Sequence, residues 1–274
     1  MHFICPVCGL PLAEDGGAAR CARGHCFDRA REGYYNLLTG AGGVHGDNRQ
    51  MVEARREFLD TGAYAFLADA VAAAAKKYTP DGGVLVDAGC GEGYYTDRIA
   101  RALPESAEVV GFDISKDAVR RAARRNSRLS LAVAGSYHMP FADGSVDTVV
   151  NIFSPLCTDE TARILCTGGH FILVFPGEEH LYGLKSAIYD TPYRNEPAKT
   201  DLPGFSLISD DALTREVTLT SPEKIRALFH MTPYAYRTGA EGRARAEALS
   251  SLSTAFAFRL LVYRREPCES TDPV

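Results

Sequence analysis

The stretch GGVLVDAGCGEGYYTDRIA, residues 82–100, decides the fold of this chain. An apolar run ends in Asp87, alternating glycines that include Gly89 and Gly91 follow, and helical spacing resumes at Tyr94. A buried strand that leads through a glycine-rich turn into a helix is the nucleotide-binding βα unit, in which the missing Cβ atoms let a ligand approach the backbone. The stretch therefore predicts an α/β domain with a ligand over this turn, where Asp87 either touches the ligand or positions the turn.

The spacing of the glycines indicates which ligand the turn binds. Dinucleotide-binding turns follow G-x-G-x-x-G, whereas this chain has G-x-G-x-G, with Tyr94 in place of the third glycine of that motif. The next β-type run, AEVVGFDIS, ends in Asp113, 26 residues after Asp87. A carboxylate at that position would take the ribose hydroxyls of an adenosyl group. The pattern favours an adenosyl cofactor over a pyrophosphate.

Further apolar runs follow at intervals typical of strands. LSLAVAG ends near Ser136, ADGSVDTVVN ends at Asn151, GGHFILVFP follows paired glycines, and TAFAFRLLVYRR alternates as a last strand. Alternation of strands with helices predicts a parallel sheet in which ligands gather at the carboxyl ends of the strands. Asp87, Asp113, Ser136 and Asn151 all follow or end strands, so we expect them at that edge.

A second stretch, CPVCGLPLAEDGGAARCARGHCFD, predicts a metal site ahead of the α/β domain. Cys5 and Cys8 form a C-x2-C pair, and Cys21 and His25 form a C-x3-H pair after 12 intervening residues. Two such pairs complete the tetrahedral set of four ligands that zinc prefers, and a set of four protein ligands is closed and therefore structural. Cys26 lies one residue too far along and is a spare. The alternative is a set of buried thiols in a short hairpin, which the paired spacing disfavours.

Composition and charge exclude several classes of protein. The chain has 274 residues, 46% of them hydrophobic and 24% charged, as in ordinary globular proteins. Its net charge of -5 argues against a protein that coats nucleic acid by bulk charge. No apolar run approaches the roughly 20 residues of a membrane span, and the first residues lack a signal-peptide pattern. We therefore expect a cytoplasmic protein without a membrane partner, whose clustered cysteines bind metal instead of forming disulfides.

The chain is expected to divide into a metal module, a connecting segment and a large domain. Residues 39–50 are rich in glycine and polar residues and predict a linker or mobile loop. Residues 51–78 have helical periodicity with a break at a Thr-Gly dipeptide, which predicts two helices. The tail from Glu266 is expected to fray. The three predicted parts are residues 1–38, 39–78 and 79–274.

The motifs together resemble a known family. VDAGCGEGYYT, GFDISKDAVRRAA and MPFADGSVDTVVNIFSP look like the first motifs of class I S-adenosylmethionine-dependent methyltransferases. With the CPxC…CxxxH module, FDRAREGYYNLL, GDNRQMVEARREFLDTGAY and MTPYAYR, the chain resembles the 23S ribosomal RNA guanine-N1 methyltransferases, a group that includes macrolide-resistance members. The resemblance runs from Cys5 to about Arg264. It implies a Rossmann-like sheet of seven strands, a small N-terminal domain like a zinc ribbon, and the cofactors S-adenosylmethionine and Zn²⁺.

The resemblance also implies roles for particular residues. Gly91 and Glu92 match contacts to the cofactor in the glycine turn, Tyr64 matches a tyrosine over the cofactor, and His180 matches a histidine near it. One departure is CTGG at residues 166–169, where the family usually has Lys-Pro-Gly-Gly, which concerns the rigidity of a turn more than chemistry. The implied zinc ligands are Cys5, Cys8, Cys21 and His25. The expected cofactor-binding residues are Tyr64, Asp87, Gly89, Gly91, Glu92, Asp113, Ser136 and His180.

The implied reaction places demands on the substrate. Guanine N1 carries a hydrogen that must leave before or during attack on the methyl group, and a paired guanine hides N1. The target is therefore expected to be unpaired in a 23S rRNA hairpin or pulled out of the stack. Asn151 and His138 are expected near the edge where the base enters, and Asn151 would hold its O6 or N2 group. The sequence identifies no catalytic base.

Contacts to RNA are expected from the metal module. Arg20, Arg23, Arg29 and Arg31 lie within or just after it, and the tyrosines at 34 and 35 either stack on bases or pack the module. The basic run SKDAVRRAARRNSR either touches phosphates or forms a solvated helix face, and the second interpretation is favoured. The sequence is silent on dimerisation, although a homodimer would suit an RNA stem.

Two alternatives stay open at this level. One is a methyltransferase of the same fold that acts on a small molecule and uses the zinc module to bind a partner. The other is a non-enzymatic zinc-ribbon adaptor on a degenerate Rossmann domain, against which the intact DAGCGEG turn and Asp113 argue.

Overall fold

The structure, a computed structural model, describes residues 2–39, 46–197 and 199–267. Its strands are β1 (Ala13–Asp15), β2 (Ala18–Arg20), β3 (Cys26–Asp28), β4 (Tyr35–Asn36), β5 (Val84–Ala88), β6 (Glu108–Asp113), β7 (Ser130–Val133), β8 (Val146–Ile152), β9 (Leu165–Pro176), β10 (Phe205–Leu219) and β11 (Leu252–Arg265). Its helices are α1 (Arg49–Asp60), α2 (Ala65–Tyr78), α3 (Tyr94–Ala102), α4 (Lys116–Arg125), α5 (Thr158–Ile164), α6 (Tyr182–Ile188), α7 (Pro222–His230), α8 (Tyr234–Arg237) and α9 (Ala240–Glu247).

A large sheet runs through the molecule in the order β10-β11-β9-β8-β5-β6-β7-β4. All neighbours from β9 to β4 are parallel, whereas β11 is antiparallel to both β9 and β10. Seven of these strands form the predicted class I methyltransferase sheet, so that prediction is confirmed. The eighth, β4, comes from the N-terminal module. The long edge strand β10 is one of the seven, but the sequence did not locate it, because its side chains are mostly exposed and leave no run of apolar residues.

The central strand β5 shows why this part of the chain forms the middle of the sheet. All five of its residues are buried, as expected for a parallel strand that is covered on both faces. Leu85 packs in one apolar cluster, whereas Val84 and Val86 pack in the other, because successive side chains of a strand point to opposite faces. Ile99 of α3 joins the cluster of Leu85. The turn that follows β5 therefore begins from a rigid base.

The predicted pair of helices is α1 and α2. The side chain of Asn48 caps α1 by accepting a hydrogen bond from the Met51 amide at 3.0 Å, and Gly62 has a φ of +77° at the break. Of the predicted linker 39–50, residues 40–45 lie outside the described residues, and α1 already begins at Arg49. Residues 268–274 of the predicted frayed tail also lie outside them.

The N-terminal module is joined to the large sheet by both its backbone and its core. Strand β4 pairs in parallel with β7, and the Ile4 amide donates to the Pro140 carbonyl at 2.9 Å. The rings of Phe3 and Phe141 lie 5.6 Å apart, and Leu37 shares their apolar cluster. Loss of structure in the module is therefore expected to disturb this edge of the sheet.

No single helix among the described residues is long and apolar enough to cross a membrane. The bent pair of α1 and α2 reaches the required length and composition only when taken together, with an angle of 89° between the two helices. Each of the two has a buried face, which includes Phe58 and Leu67.

Candidate active site and metal centre

Residues from the ends of four neighbouring strands lie at the carboxyl edge of the sheet. Asp87 lies on β5, Asp113 ends β6, and Asn151 lies one residue before the end of β8. Ser136 follows β7. The order β8-β5-β6-β7 places these residues side by side, as the sequence predicts.

The glycine turn is closed on one side and open on the other. Gly89, Gly91 and the following Gly93 have φ values of +87°, +56° and +84°, which L side chains rarely adopt. A Cβ atom at Gly89 would lie 2.4 Å from the Cβ atom of Ser154, but one at Gly91 would find no heavy atom within 4 Å. The backbone at Gly91 is therefore free to take a ligand at close approach.

Asp113 holds the turn in this shape. Its Oδ2 atom accepts a hydrogen bond from the Gly91 amide at 3.0 Å, and its Oδ1 atom accepts one from the Ser115 amide at 2.8 Å. Burial raises the pKa of Asp113, whereas the two backbone donors lower it. The carboxylate thus has a structural role in the turn beside any contact to ribose.

Asp87 is only 2% exposed and accepts a hydrogen bond from the Thr96 hydroxyl at 2.6 Å. Burial raises the pKa of its carboxyl group to about 7, although the Thr96 hydroxyl acts to lower it. In the unfolded chain the pKa is about 3.9, so the folded state retains the proton over a pH range in which the unfolded state has lost it. The raised pKa of Asp87 therefore favours the folded state in acid, and this contribution to the free energy of unfolding is lost as the pH rises from about 4 to 7.

We therefore expect Asp87→Asn to increase the stability of the cofactor-free protein relative to wild type more at pH 8 than at pH 5. The difference is at most about 3 kcal/mol, since each pKa unit corresponds to about 1.4 kcal/mol. Urea unfolding of both proteins at the two pH values measures it. Equal differences at pH 5 and pH 8 would show that Asp87 is ionised throughout.

Several polar atoms near the turn are buried without a hydrogen-bond partner among the described residues. They include Oε1 of Glu92, the hydroxyls of Tyr94 and Tyr95, and Oδ1 of Asn151. Glu92 is 3% exposed, and its other oxygen pairs with Nη2 of Arg125 at 2.5 Å. Burial raises the pKa of Glu92, whereas Arg125 lowers it. Buried polar groups are normally satisfied, so these atoms fit a site built for a polar ligand such as S-adenosylmethionine.

Tyr64 and His180 are also brought together. The Tyr64 hydroxyl lies 3.5 Å from Nε2 of His180, and the ring of Phe258 contacts both, with centroids 4.9 and 4.6 Å away. Burial, together with the positive charge of Lys185, lowers the pKa of His180 to about 3, so this histidine is neutral. Phe258 in turn lies 5.5 Å from the ring of Phe153, which connects this pair to the strand-end site.

The loop after β8 carries a feature that the sequence does not reveal. Phe153 has a φ of +59° and is partly exposed, a conformation that costs about 1–3 kcal/mol for a residue other than glycine. The Asn151 side chain donates to the Pro155 carbonyl at 3.2 Å and so braces this loop. His138, the other predicted substrate residue, is exposed on the segment after β7. The structure thus buries Asn151 and leaves His138 at the surface.

The four predicted zinc ligands converge. Their ligand atoms all lie within 4.8 Å of one another. Sγ of Cys5 and Sγ of Cys21 are each 3.4 Å from Nδ1 of His25, and Sγ of Cys8 is 3.6 Å from Sγ of Cys21. Zinc bonds of about 2.0–2.3 Å in a tetrahedron give similar spacings between ligands, so this donor set fits zinc. Cys26 is exposed on β3 and is not among the four.

A glycine beside each pair of ligands makes the tight turn that such a site needs. The Gly9 amide donates to the Cys5 carbonyl at 2.8 Å, and the Gly24 amide donates to the Cys21 carbonyl at 2.9 Å. Burial acts to raise the pKa of the Cys21 thiol, but donors that include the backbone of Arg23 and His25 lower it to about 6. A thiolate is the form that binds zinc.

The structure decides between the two interpretations of several surface residues. Tyr34 and Tyr35 are 3% and 5% exposed, so they pack the module and do not offer stacking surfaces. The arginines of α4 form ion pairs with acidic side chains. This supports the interpretation of the basic run as a solvated or structural helix face. Their ion pairs are Arg120 with Asp117, Arg121 with Glu53, Arg124 with Glu32, and Arg125 with Asp60 and Glu92.

Comparison with known proteins identifies both parts of the chain. Residues 85–169 match a family described as methyltransferase domain, and residues 3–39 match the family described as RlmA, N-terminal, a zinc ribbon. The 23S rRNA (guanine(748)-N(1))-methyltransferase of Streptomyces fradiae is 40% identical over 190 residues, which cover 68% of each chain.

A second relative, from Micromonospora griseorubida, is 36% identical over 289 aligned positions, which cover 96% of this chain and 97% of the relative. Its name provisionally assigns it to the 23S rRNA (guanine-N(1)-)-methyltransferases. One solved structure, from the complex of the Haloferax volcanii Trm112 methyltransferase activator with a methyltransferase, covers 81% of this chain and all of that chain. Its TM-score of 0.50 at 17% identity supports the fold alone.

These matches agree with the open glycine turn and the convergent zinc ligands, and they exclude a non-enzymatic adaptor. The cofactors are S-adenosylmethionine and zinc, as the sequence predicts. The chain belongs to the 23S rRNA (guanine-N1)-methyltransferase family, and it is an S-adenosylmethionine-dependent methyltransferase with an N-terminal zinc ribbon.

Proposed function

We propose that the protein transfers the methyl group of S-adenosylmethionine to N1 of a guanine in a hairpin of 23S rRNA. The observation that carries this proposal is that one chain contains both the zinc ribbon and the methyltransferase domain. The chain is also 36% identical to a named relative over nearly the full length of that relative. The core shared by the module and the sheet supports it, because RNA bound by the module would keep a fixed position relative to the strand ends.

The cofactor is proposed to lie over the glycine turn. When bound, it supplies a methyl group activated by the sulfonium. Gly91 offers backbone at close approach, Asp113 and Glu92 offer carboxylate oxygens, and Tyr64 and His180 form the far wall. The proposed cofactor residues are Tyr64, Asp87, Gly89, Gly91, Glu92, Asp113, Ser136 and His180, and the proposed zinc ligands are Cys5, Cys8, Cys21 and His25.

Asn151 is proposed to hold the target base. Its Oδ1 atom is buried and unpaired, so it can accept a hydrogen bond from the N2 amino group of guanine, whereas its Nδ2 atom already serves the Phe153 loop. His138 is exposed and is proposed to contact the nucleotide at the rim of the site. Since N1 is hidden in a base pair, the guanine must be unpaired or flipped out before it enters.

The RNA is proposed to cross the zinc module. Arg23 and Arg31 are exposed and have no acidic partner among the described residues, so their charges are available to phosphates. Arg20 and Arg29 are exposed but form ion pairs with Asp15 and Glu14, which phosphates would have to replace. A cytoplasmic location and a homodimer that clamps an RNA stem remain proposals, as does the division at residues 38 and 78.

The test is to map the product by mass spectrometry after 23S rRNA is incubated with the zinc-loaded protein and S-adenosylmethionine. We expect one N1-methylguanine in a hairpin, and methylation of small molecules but not of RNA would overturn the proposal. Asn151→Ala is expected to lower kcat/KM about tenfold, the loss of roughly one buried hydrogen bond. Unchanged methylation by this variant would remove Asn151 from the site.

A further inference from the structure

Lys185 is a fully buried cation that the proposed function has not yet used. It lies in the middle of α6, in the otherwise uncharged segment LYGLKSAI, and its exposed fraction is 0%. Lysine is almost never fully buried unless it is paired with an anion. Its position therefore requires an explanation.

The surroundings of Lys185 are polar and aromatic but not acidic. Its Nζ atom donates to Oδ1 of Asn195 at 2.5 Å and lies 4.3 Å from the centre of the Tyr193 ring and 5.5 Å from that of Tyr234. The rings and the amide oxygen favour the charged form, whereas burial lowers the pKa of Lys185. Within residues 2–39, 46–197 and 199–267, no carboxylate lies within 4 Å of this ammonium group. At least one N–H of the group is therefore left for another acceptor.

Lys185 lies on the same side of the sheet as the methyl-transfer site. Its helix follows the carboxyl end of β9, and His180, five residues before it in the chain, contacts the ring of Phe258. Phe258 contacts Phe153 in the loop after β8, which Asn151 braces. The rings of His180, Phe258 and Phe153 thus connect the segment just before α6 to the loop after β8.

The reaction needs a positive group at one particular atom of the substrate. When the N1 proton of guanine leaves, the negative charge is shared between N1 and O6, so a cation at O6 favours its departure. A donor fixed in advance at such an oxygen stabilises the transition state without reorganisation. Among the described residues near the strand ends, Lys185 is a buried cation without an anion, whereas Arg125 is already paired with Glu92 and Asp60.

We propose that Lys185 is a catalytic residue that donates a hydrogen bond to O6 of the target guanine. The N1 proton passes to water, the electron pair left on N1 forms the bond to the methyl carbon, and the bond from that carbon to the sulfonium breaks. Tyr193 is 49% exposed, so the ring that lies over the buried ammonium also reaches the surface. The inference rests on the proposed transfer to guanine N1.

The segment around Asn195 does not depend on Lys185 alone for its structure. Asn195 is also fixed by its own Nδ2 atom, which donates to the Gly177 carbonyl at 2.7 Å, and by its amide, which donates to the Glu178 carbonyl at 3.0 Å. The segment around Asn195 therefore retains two bonds when the ammonium is removed. Lys185→Met, which keeps an unbranched side chain one heavy atom shorter, is expected to fold.

The experiment compares wild type, Lys185→Met and Lys185→Arg in single-turnover methylation of 23S rRNA. We expect the rate to fall about a hundredfold in the methionine variant and less in the arginine variant, as on removal of one donor to a developing oxyanion. Affinity for S-adenosylmethionine is expected to stay unchanged. The matched control is Lys77→Met, which removes an exposed lysine that also lies over a tyrosine ring, 4.8 Å from Tyr78, and which should leave the rate unchanged.

A second arm tests the contact itself with a synthetic RNA that carries 6-thioguanine at the mapped position. If Lys185 donates to O6, the effects of the sulfur and of Lys185→Met are not additive, because both remove the same hydrogen bond. Additive effects, a wild-type rate in the methionine variant, or a parallel loss of cofactor binding would overturn the assignment. If wild type itself does not methylate guanine N1, the proposed function fails instead.

Discussion

Cys21→Ser is expected to reduce bound zinc from one ion per chain to almost none and to unfold the N-terminal module. Structural zinc contributes roughly 10 kcal/mol or more to the folding of isolated finger peptides. In this chain the module also packs on Phe141 and pairs through β4, so part of its structure has other support. We expect a net loss of at least about 4 kcal/mol, which for a chain of this size lowers the Tm by about 10 °C. Metal analysis and thermal unfolding measure the two effects.

Cys26→Ser is the matched control for this prediction. The thiol of Cys26 is exposed on β3, five residues from Cys21, and does not belong to the cluster. Its replacement should change neither zinc content nor Tm. If Cys21→Ser retained a full zinc equivalent and the wild-type Tm, the proposed set of ligands would be wrong.

Gly91→Ala is expected to weaken S-adenosylmethionine binding at least a hundredfold while the protein remains folded. A Cβ atom at this position has no protein atom within 4 Å, so the cost to folding is that of the left-handed backbone, about 1–2 kcal/mol. The added methyl group would, however, occupy space that the cofactor is proposed to fill. Calorimetry with the zinc-loaded protein measures the loss of affinity.

Gly89→Ala provides the contrast. Its Cβ atom would lie 2.4 Å from that of Ser154, whose hydroxyl donates to the Ala88 carbonyl at 2.6 Å, so the loop after β8 would have to move. This variant should lose both stability and affinity. Wild-type affinity in Gly91→Ala would contradict the proposed position of the cofactor.

Much of the candidate site could be proposed from the sequence, because its chemistry depends on short spacings along the chain. The turn around Gly91 needs glycines at alternate positions, and the zinc site needs two pairs such as Cys21 and His25, and both patterns are visible in the sequence. The proposed role of Lys185 was not predicted, because its only signal is one lysine in an uncharged segment, and its contacts with Tyr193 and Tyr234 depend on the tertiary fold. The strained backbone of Phe153 had no signal at all.

The sequence alone determined the elements whose causes are local. The apolar run of β5, the glycine turn, the helix break at Gly62 and the pairs of zinc ligands follow from the preferences and reach of residues that are close in the chain.

The tertiary structure alone decided which distant groups meet. It added β4 to the edge of the sheet, buried Tyr34 and Tyr35, and paired Arg121 and Arg125 with acids of α1 and the glycine turn. The same residue types would be exposed, free and able to bind RNA in another arrangement. Burial and charge pairing depend on packing between elements that are far apart in sequence, and no local pattern records that packing.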